Sequence, residues 1–101
     1  MKYHIVLSRD ASDDIGSALW WYERIDPSLA FRFISEGNTT IDRIAQFPFR
    51  FPVYNGAVRR ARLKRFPYAI YYSVDHEEVL VKAILHQRRS DDVWWQRSHR
   101  Q

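Results

Sequence analysis

From Tyr3 to Ser8 the side chains alternate, with Ile5 and Leu7 on one side and His4 and Val6 on the other. That period of two predicts a short strand. The period then changes. Ile15, Leu19, Tyr22 and Ile25 recur at helical spacing and form one apolar stripe. Asp10 is placed to cap this helix, with Asp13 and Asp14 in its first turn, where the helix dipole favours negative charge. Asp26-Pro27 ends the helix and starts another, Asp26 as N-cap and Pro27 at a position where a missing N–H costs nothing. Leu29, Phe33, Gly37, Ile41 and Ile44 make the second stripe. Helices this close in sequence must form an antiparallel hairpin.

Pro48 stops the second helix, and residues 47–56 predict an aromatic-rich connection closing in an Asn-Gly turn. Period two then returns in three strands, over about 57–65, 68–75 and 78–86, with Asp75-His76-Glu77 as the tight turn between the last two. Tyr68, Ile70, Tyr72 and Val74 share one face. In the last strand Val79, Val81, Ala83 and Leu85 share a face, which leaves Lys82 and His86 on the other. The tail from Arg88 to Gln101 is charged apart from Val93-Trp94-Trp95. The order is β-α-α-β-β-β, an α+β fold in a single domain over residues 1–101. Two helices cover one face of an antiparallel sheet, and the other face is expected to stay partly open.

Charge sharpens this picture. Residues 1–56 carry 6 Lys/Arg against 7 Asp/Glu, a net of −1, whereas residues 57–101 carry 10 against 5, a net of +5. The basic character therefore belongs to the sheet half. Arg59, Arg60, Arg62, Lys64 and Arg65 crowd into seven residues. At strand period, Arg60, Arg62 and Lys64 form a ladder with steps of about 7 Å, backed by Ala61 and Leu63. Such a ladder suits a polyanion or an acidic partner; the plainer alternative is a solvated face whose charges deter edge pairing.

The chain has no cysteine, which excludes disulfides and thiolate metal sites. Its four histidines, at 4, 76, 86 and 99, lack ligand spacing, so neither metal nor cofactor is expected. No apolar run reaches transmembrane length and the N-terminus lacks a signal-peptide stretch, so the expected location is cytoplasmic, away from membranes. His86 is the best candidate for a group titrating near neutrality, and a hydrogen-bonded structural histidine is the plainer reading. Trp20 and Trp21 flank the first stripe, and Trp94 and Trp95 interrupt the tail. Each pair reads as packing or as an anchor for a protein partner.

The block Arg59–Val74, the run Ala83-Ile84-Leu85-His86-Gln87-Arg88-Arg89, Trp21-Tyr22-Glu23 and Pro48 together resemble the RelE/ParE superfamily of bacterial type II toxins. The resemblance spans nearly the whole chain and lies closer to ParE. It implies a toxin neutralised by a cognate antitoxin in a hetero-oligomer, as in plasmid-stabilisation modules, with DNA gyrase as the target. The alternative it implies is a RelE-like endoribonuclease that cuts mRNA on the ribosome. For that alternative Arg60, Arg62 and Arg88 would hold phosphate and His86 would serve as acid or base, with Trp94 as the late aromatic. Ala69 stands where that branch carries an arginine. A third reading, from charge alone, is a nucleic-acid-binding module without toxicity. Partner contacts are expected at Arg60, Arg62, Lys64, Trp20, Trp21, Trp94 and Trp95.

Overall fold

A computed structural model describes residues 2–100. The chain runs β1 (His4–Leu7), α1 (Arg9–Ile25), α2 (Pro27–Gln46), β2 (Val53–Asn55), β3 (Val58–Arg62), β4 (Tyr68–Asp75), β5 (Glu78–His86) and α3 (Ser90–Ser98). The strands form one sheet in the order β1-β5-β4-β3-β2. Only β1 is parallel to its neighbour β5; the other pairs are antiparallel. The fold is α+β, as the pattern predicted, with one strand more.

The helix pair forms as its caps dictate. Asp26 accepts the Ser28 N–H at 2.9 Å and Pro27 opens α2. The α1 cap is Ser8 rather than Asp10: its hydroxyl oxygen accepts the Ala11 N–H at 3.0 Å. Ser8 is also the last residue tied to the sheet, its own N–H bonding to Val81 O at 2.9 Å, so the helix starts where β1 ends. The two helices lie on the sheet face that carries Ile70, Tyr72, Val79, Val81 and Ile84. Phe33 and Ile44 from α2 and Ala11 and Ala18 from α1 complete this core, with Tyr22 and Tyr68 packed against Phe33 and Phe66. Burying each of the larger side chains contributes about 1.5–3 kcal/mol. Ile25, at the last position of α1, departs from its predicted stripe and stays 60% exposed.

Four further departures matter for the site. First, β2 is a strand inside the predicted connection, paired to β3 across the Asn55-Gly56 turn, where Gly56 takes φ of 57°. Second, β3 ends at Arg62, so Lys64 lies in a bend outside the predicted ladder. Third, β5 carries a bulge. Tyr72 pairs with Val81 but Tyr71 pairs with Ala83, which leaves Lys82 as the extra residue. A bulge inverts the alternation, so Val79 and Val81 face the helices while Ala83 and Leu85 face the opposite side.

The fourth departure is that the second sheet face is not open. The tail folds as α3 and packs Val93 and Trp94 over Ala69, Tyr71, Ala83 and Leu85. Trp94 stacks on Tyr71 with centroids 5.6 Å apart, and the Tyr54 ring meets Tyr71 edge-on at 4.9 Å. Tyr54 donates its hydroxyl hydrogen to Asp91 at the start of α3. The sheet is thus the middle of three layers.

Candidate functional site

The sequence gathered its candidate chemistry on one face; the structure distributes it over two. Arg60 pairs with Tyr71 and Arg62 with Ala69, which puts both on the α3 side of the sheet. Arg60 is half-buried, its guanidinium 4.9 Å from the centre of the Tyr54 ring. His86 pairs instead with Tyr68, whose ring belongs to the helix-side core, with centroids 5.4 Å apart. The sequence pattern groups His86 and Lys82 with the ladder on the partly open face; the β5 bulge instead turns His86 to the face opposite Arg60 and Arg62.

His86 is tied locally. Its Nδ1 accepts the Arg88 backbone N–H at 3.1 Å, which leaves Nε2 as the protonated nitrogen of the neutral ring. It lines a cleft of about 1140 Å³ between α1, the end of β5 and α3, with Gly16, Trp21, Tyr68, Arg88 and Arg89 among its walls. Burial pushes the Tyr68 hydroxyl up, while the nearby Arg89 pulls it down. Asp13 and Asp14 of α1 also line this cleft, and the Asp14 carboxylate is engaged by Arg97.

That engagement holds α3 in place. Asp14 receives two bonds from Arg97, Nη1 to Oδ2 at 3.0 Å and Nη2 to Oδ1 at 2.6 Å. Its Oδ2 also accepts the Ile84 N–H at 3.0 Å. Because β1 ends opposite Val81, no strand is available to bond Ile84, and the carboxylate takes that role. Asp10 adds longer contacts to Arg97 and Arg100, at 3.9 and 3.3 Å.

The tryptophans divide clearly. Trp94 is half-buried in the third layer, whereas Trp95 lies outside it at 62% exposure. Trp20 and Trp21 are both exposed, at 60% and 56%, and Phe31 and Ile34 of α2 are exposed as well. The helix hairpin therefore exposes large apolar side chains outside the core on both of its helices. Its residues fell outside the sequence candidates at Phe31 and Ile34, although their offset from the Leu29–Phe33–Ile44 stripe was the signal for it.

Among the described residues no group of three or more His, Asp or Glu is placed to hold a metal ion, and no helix is long and apolar enough to cross a membrane.

A family model described as the ParE toxin of the type II toxin–antitoxin system parDE matches residues 5–91. The chain belongs to the ParE toxin family. It is a toxin of the toxin–antitoxin class, and the match takes in the helix hairpin, all of the sheet but His4, and the start of α3. Among solved structures, a chain of the chromosomal ParDE system of P. aeruginosa superposes with a TM-score of 0.74 at 18% identity, covering 84% of this chain and 96% of that one. A chain of the RelBE2 toxin–antitoxin complex of Mycobacterium tuberculosis superposes with a TM-score of 0.58 at 16% identity, covering 85% and 99%. At these identities the likeness speaks for the fold. No curated protein sequence matches significantly.

Proposed function

We propose that this ParE-family toxin inhibits DNA gyrase by binding it, without chemistry of its own, and that a cognate antitoxin neutralises it. The observation that carries the reading is the separation of Arg60 and Arg62 from His86, the candidate acid–base group, which leaves Arg88 as the one of the three phosphate-holding candidates beside it. Cleavage of RNA needs a base for the 2′-OH, an acid for the leaving oxygen and cations on the phosphate, all within hydrogen-bond reach. Here Arg60 and Arg62 lie on the α3 side and His86 on the helix side, with Ala69 between them in the sheet. Trp94, Tyr54 and Tyr71 fill the space over Arg60. A phosphate beside the imidazole meets Arg88 and Arg89 in the same cleft, with Arg60 and Arg62 on the other face of the sheet.

The antitoxin is assigned to the exposed apolar surface of the hairpin. Trp20, Trp21, Phe31 and Ile34 offer aromatic anchors of the kind that dominate binding energy, with charged residues such as Arg24 and Arg32 around them. Arg24 lies 4.5 Å above the Trp20 ring, which leaves the indole half-covered and held in one orientation.

Pulse labelling after induction of the chain alone tests the target. DNA synthesis is expected to fail first, with filamentous growth and translation spared. An immediate collapse of protein synthesis, with new internal ends in messages, would assign the RelE-like ribonuclease activity instead.

A further inference from the structure

The hydrogen-bond pattern brings two basic loops to one end of the sheet. Leu63 N–H bonds to Tyr68 O at 2.9 Å, closing the β3–β4 connection, and Gln87 N–H bonds to Pro67 O at 2.8 Å, laying the β5–α3 connection against it. Arg62, Lys64 and Arg65 stand on the first, Arg88 and Arg89 on the second, and all five side chains are exposed. Among the described residues the ion pairs involve Lys2, His76, Arg97 and Arg100, and none of these five. Glu36 is the carboxylate nearest in the hydrogen-bond network, and it accepts the backbone N–H of Arg65 rather than its guanidinium. Uncompensated like charges repel one another, so the fold gains nothing from gathering them.

We propose that this end of the sheet binds the phosphodiester backbone of duplex DNA. Four of the five cations are arginines, whose planar forks match phosphate oxygens in pairs. With neighbouring strands about 4.8 Å apart, the ends of β3 and β5 are separated by about 10 Å. Loops that far apart can meet different phosphates of the same duplex. Both loops are fixed in shape, the second by the Arg89 N–H to His86 O bond at 3.0 Å and by His86 Nδ1. On the first loop Leu63 and Phe66, beside the cations, are buried, so it offers no stacking platform of the kind single strands require; Trp20 and Trp21 border Arg88 and Arg89 across the cleft. The surface reads backbone, not sequence. It stands independently of the gyrase reading, since it concerns free DNA.

The test is fluorescence anisotropy of the purified toxin with a labelled mixed-sequence DNA duplex, repeated across a salt series. With five phosphates neutralised, affinity is expected to fall roughly 500-fold between 50 and 200 mM salt. In the double variant Arg88→Gln/Arg89→Gln the same change is expected to shrink to roughly 40-fold, since two fewer counterions are released. Lys64→Gln/Arg65→Gln should match it, and Arg43→Gln/Arg50→Gln at the far end of the hairpin, by the start of β1, should leave the salt response unchanged. All are surface changes, and circular dichroism checks the fold. The proposal is overturned if the duplex fails to bind at 50 mM salt, or if the hairpin variant alters binding as much as the loop variants do. It is also overturned if a polyglutamate peptide of matched charge binds more tightly than the duplex, which would assign the patch to an acidic protein segment.

Discussion

Arg97 near the end of α3 closes a two-pronged bond on Asp14 of α1, with both side chains largely withdrawn from solvent at 21% and 10% exposure. Asp14 holds Arg97 firmly protonated, its hydrogen bond outweighing the opposing effect of burial. Two elements more than eighty residues apart are thereby joined, and the third layer is fastened to the first through the edge of the second.

Removing one member of this pair strands the other. Asp14→Ala is expected to cost about 3 kcal/mol, because it leaves the Arg97 charge and the Ile84 N–H without a partner. Arg97→Ala should cost less, about 2 kcal/mol, since Asp14 keeps the Ile84 bond. Urea unfolding midpoints give the comparison. Equal costs for the two variants would show that the bond to Ile84 contributes nothing.

Tyr71 is fully buried, and its hydroxyl oxygen has no hydrogen-bond partner. Tyr71→Phe removes an unsatisfied polar atom and keeps the ring that Trp94 and Tyr54 pack against. The variant is expected to gain about 1 kcal/mol in equilibrium unfolding. By contrast, Trp94→Ala opens a gap in the same layer and is expected to lose about 3 kcal/mol. A loss of stability in Tyr71→Phe would reveal a partner for the hydroxyl.

Two tyrosines make the fold sensitive to alkali. Tyr72 donates its hydroxyl hydrogen to Pro48 O at 2.6 Å, and burial pushes its pKa up to about 12. Tyr54 is pushed up to about 12 by burial first, then by its bond to Asp91. The folded state holds both protons above the ordinary value of 10.0, so their contribution is complete below that pH and is lost as pH rises through about 12. Phenolate absorbance should show these two ionising late and together with loss of the circular dichroism signal. Complete titration near pH 10 with the fold intact would contradict it.

The acid side has a matching signature. The Ser28 N–H bond holds the Asp26 carboxyl below its ordinary 3.8, so this cap supports α2 above that pH and fails as pH falls through its lowered value. Asp26→Ala should therefore be less stable than the parent at neutral pH, with the difference shrinking below pH 3.8. A difference that stays constant on acidification would mean the carboxylate charge is immaterial.

His86 separates the two views of the toxin without reference to stability. A general acid or base typically contributes at least about 100-fold to a reaction. If the toxin acts by binding, His86→Ala should inhibit growth as strongly as the parent when expressed to the same level. Trp20→Ala/Trp21→Ala should instead fold normally and bind the antitoxin about 30-fold less tightly, as loss of a hot spot of 2 kcal/mol requires.

Much of this architecture could be read from local pattern. Asp26-Pro27, the Leu29–Phe33–Ile44 stripe and the alternation of Tyr68, Ile70, Tyr72 and Val74 each carry their meaning within a few residues. What escaped depends on distant partners. Val53–Asn55 is a strand only because β3 lies beside it, and Pro52 just before it conceals the period. Helix α3 has no apolar stripe to announce it; Trp94 on Tyr71 and Asp91 on Tyr54 hold it, contacts that span 23 and 37 residues. The bulge at Lys82 had the widest consequence. A single extra residue moved Ala83 and Leu85 to the other side and separated His86 from Arg60 and Arg62. Lys82 sits between Val81 and Ala83 just as an outward residue of an unbroken alternation would, so alternation alone could not reveal it.

Purified gyrase offers the most direct measurement of the central claim. Relaxed plasmid is supercoiled by the enzyme with ATP, alone, with the toxin, and with toxin pre-bound to its antitoxin; toxin is separately added to translating ribosomes. The account predicts that the toxin stops supercoiling, that His86→Ala does so equally, that antitoxin restores the activity, and that ribosome-bound message stays intact. Undisturbed supercoiling together with cleaved message would contradict it.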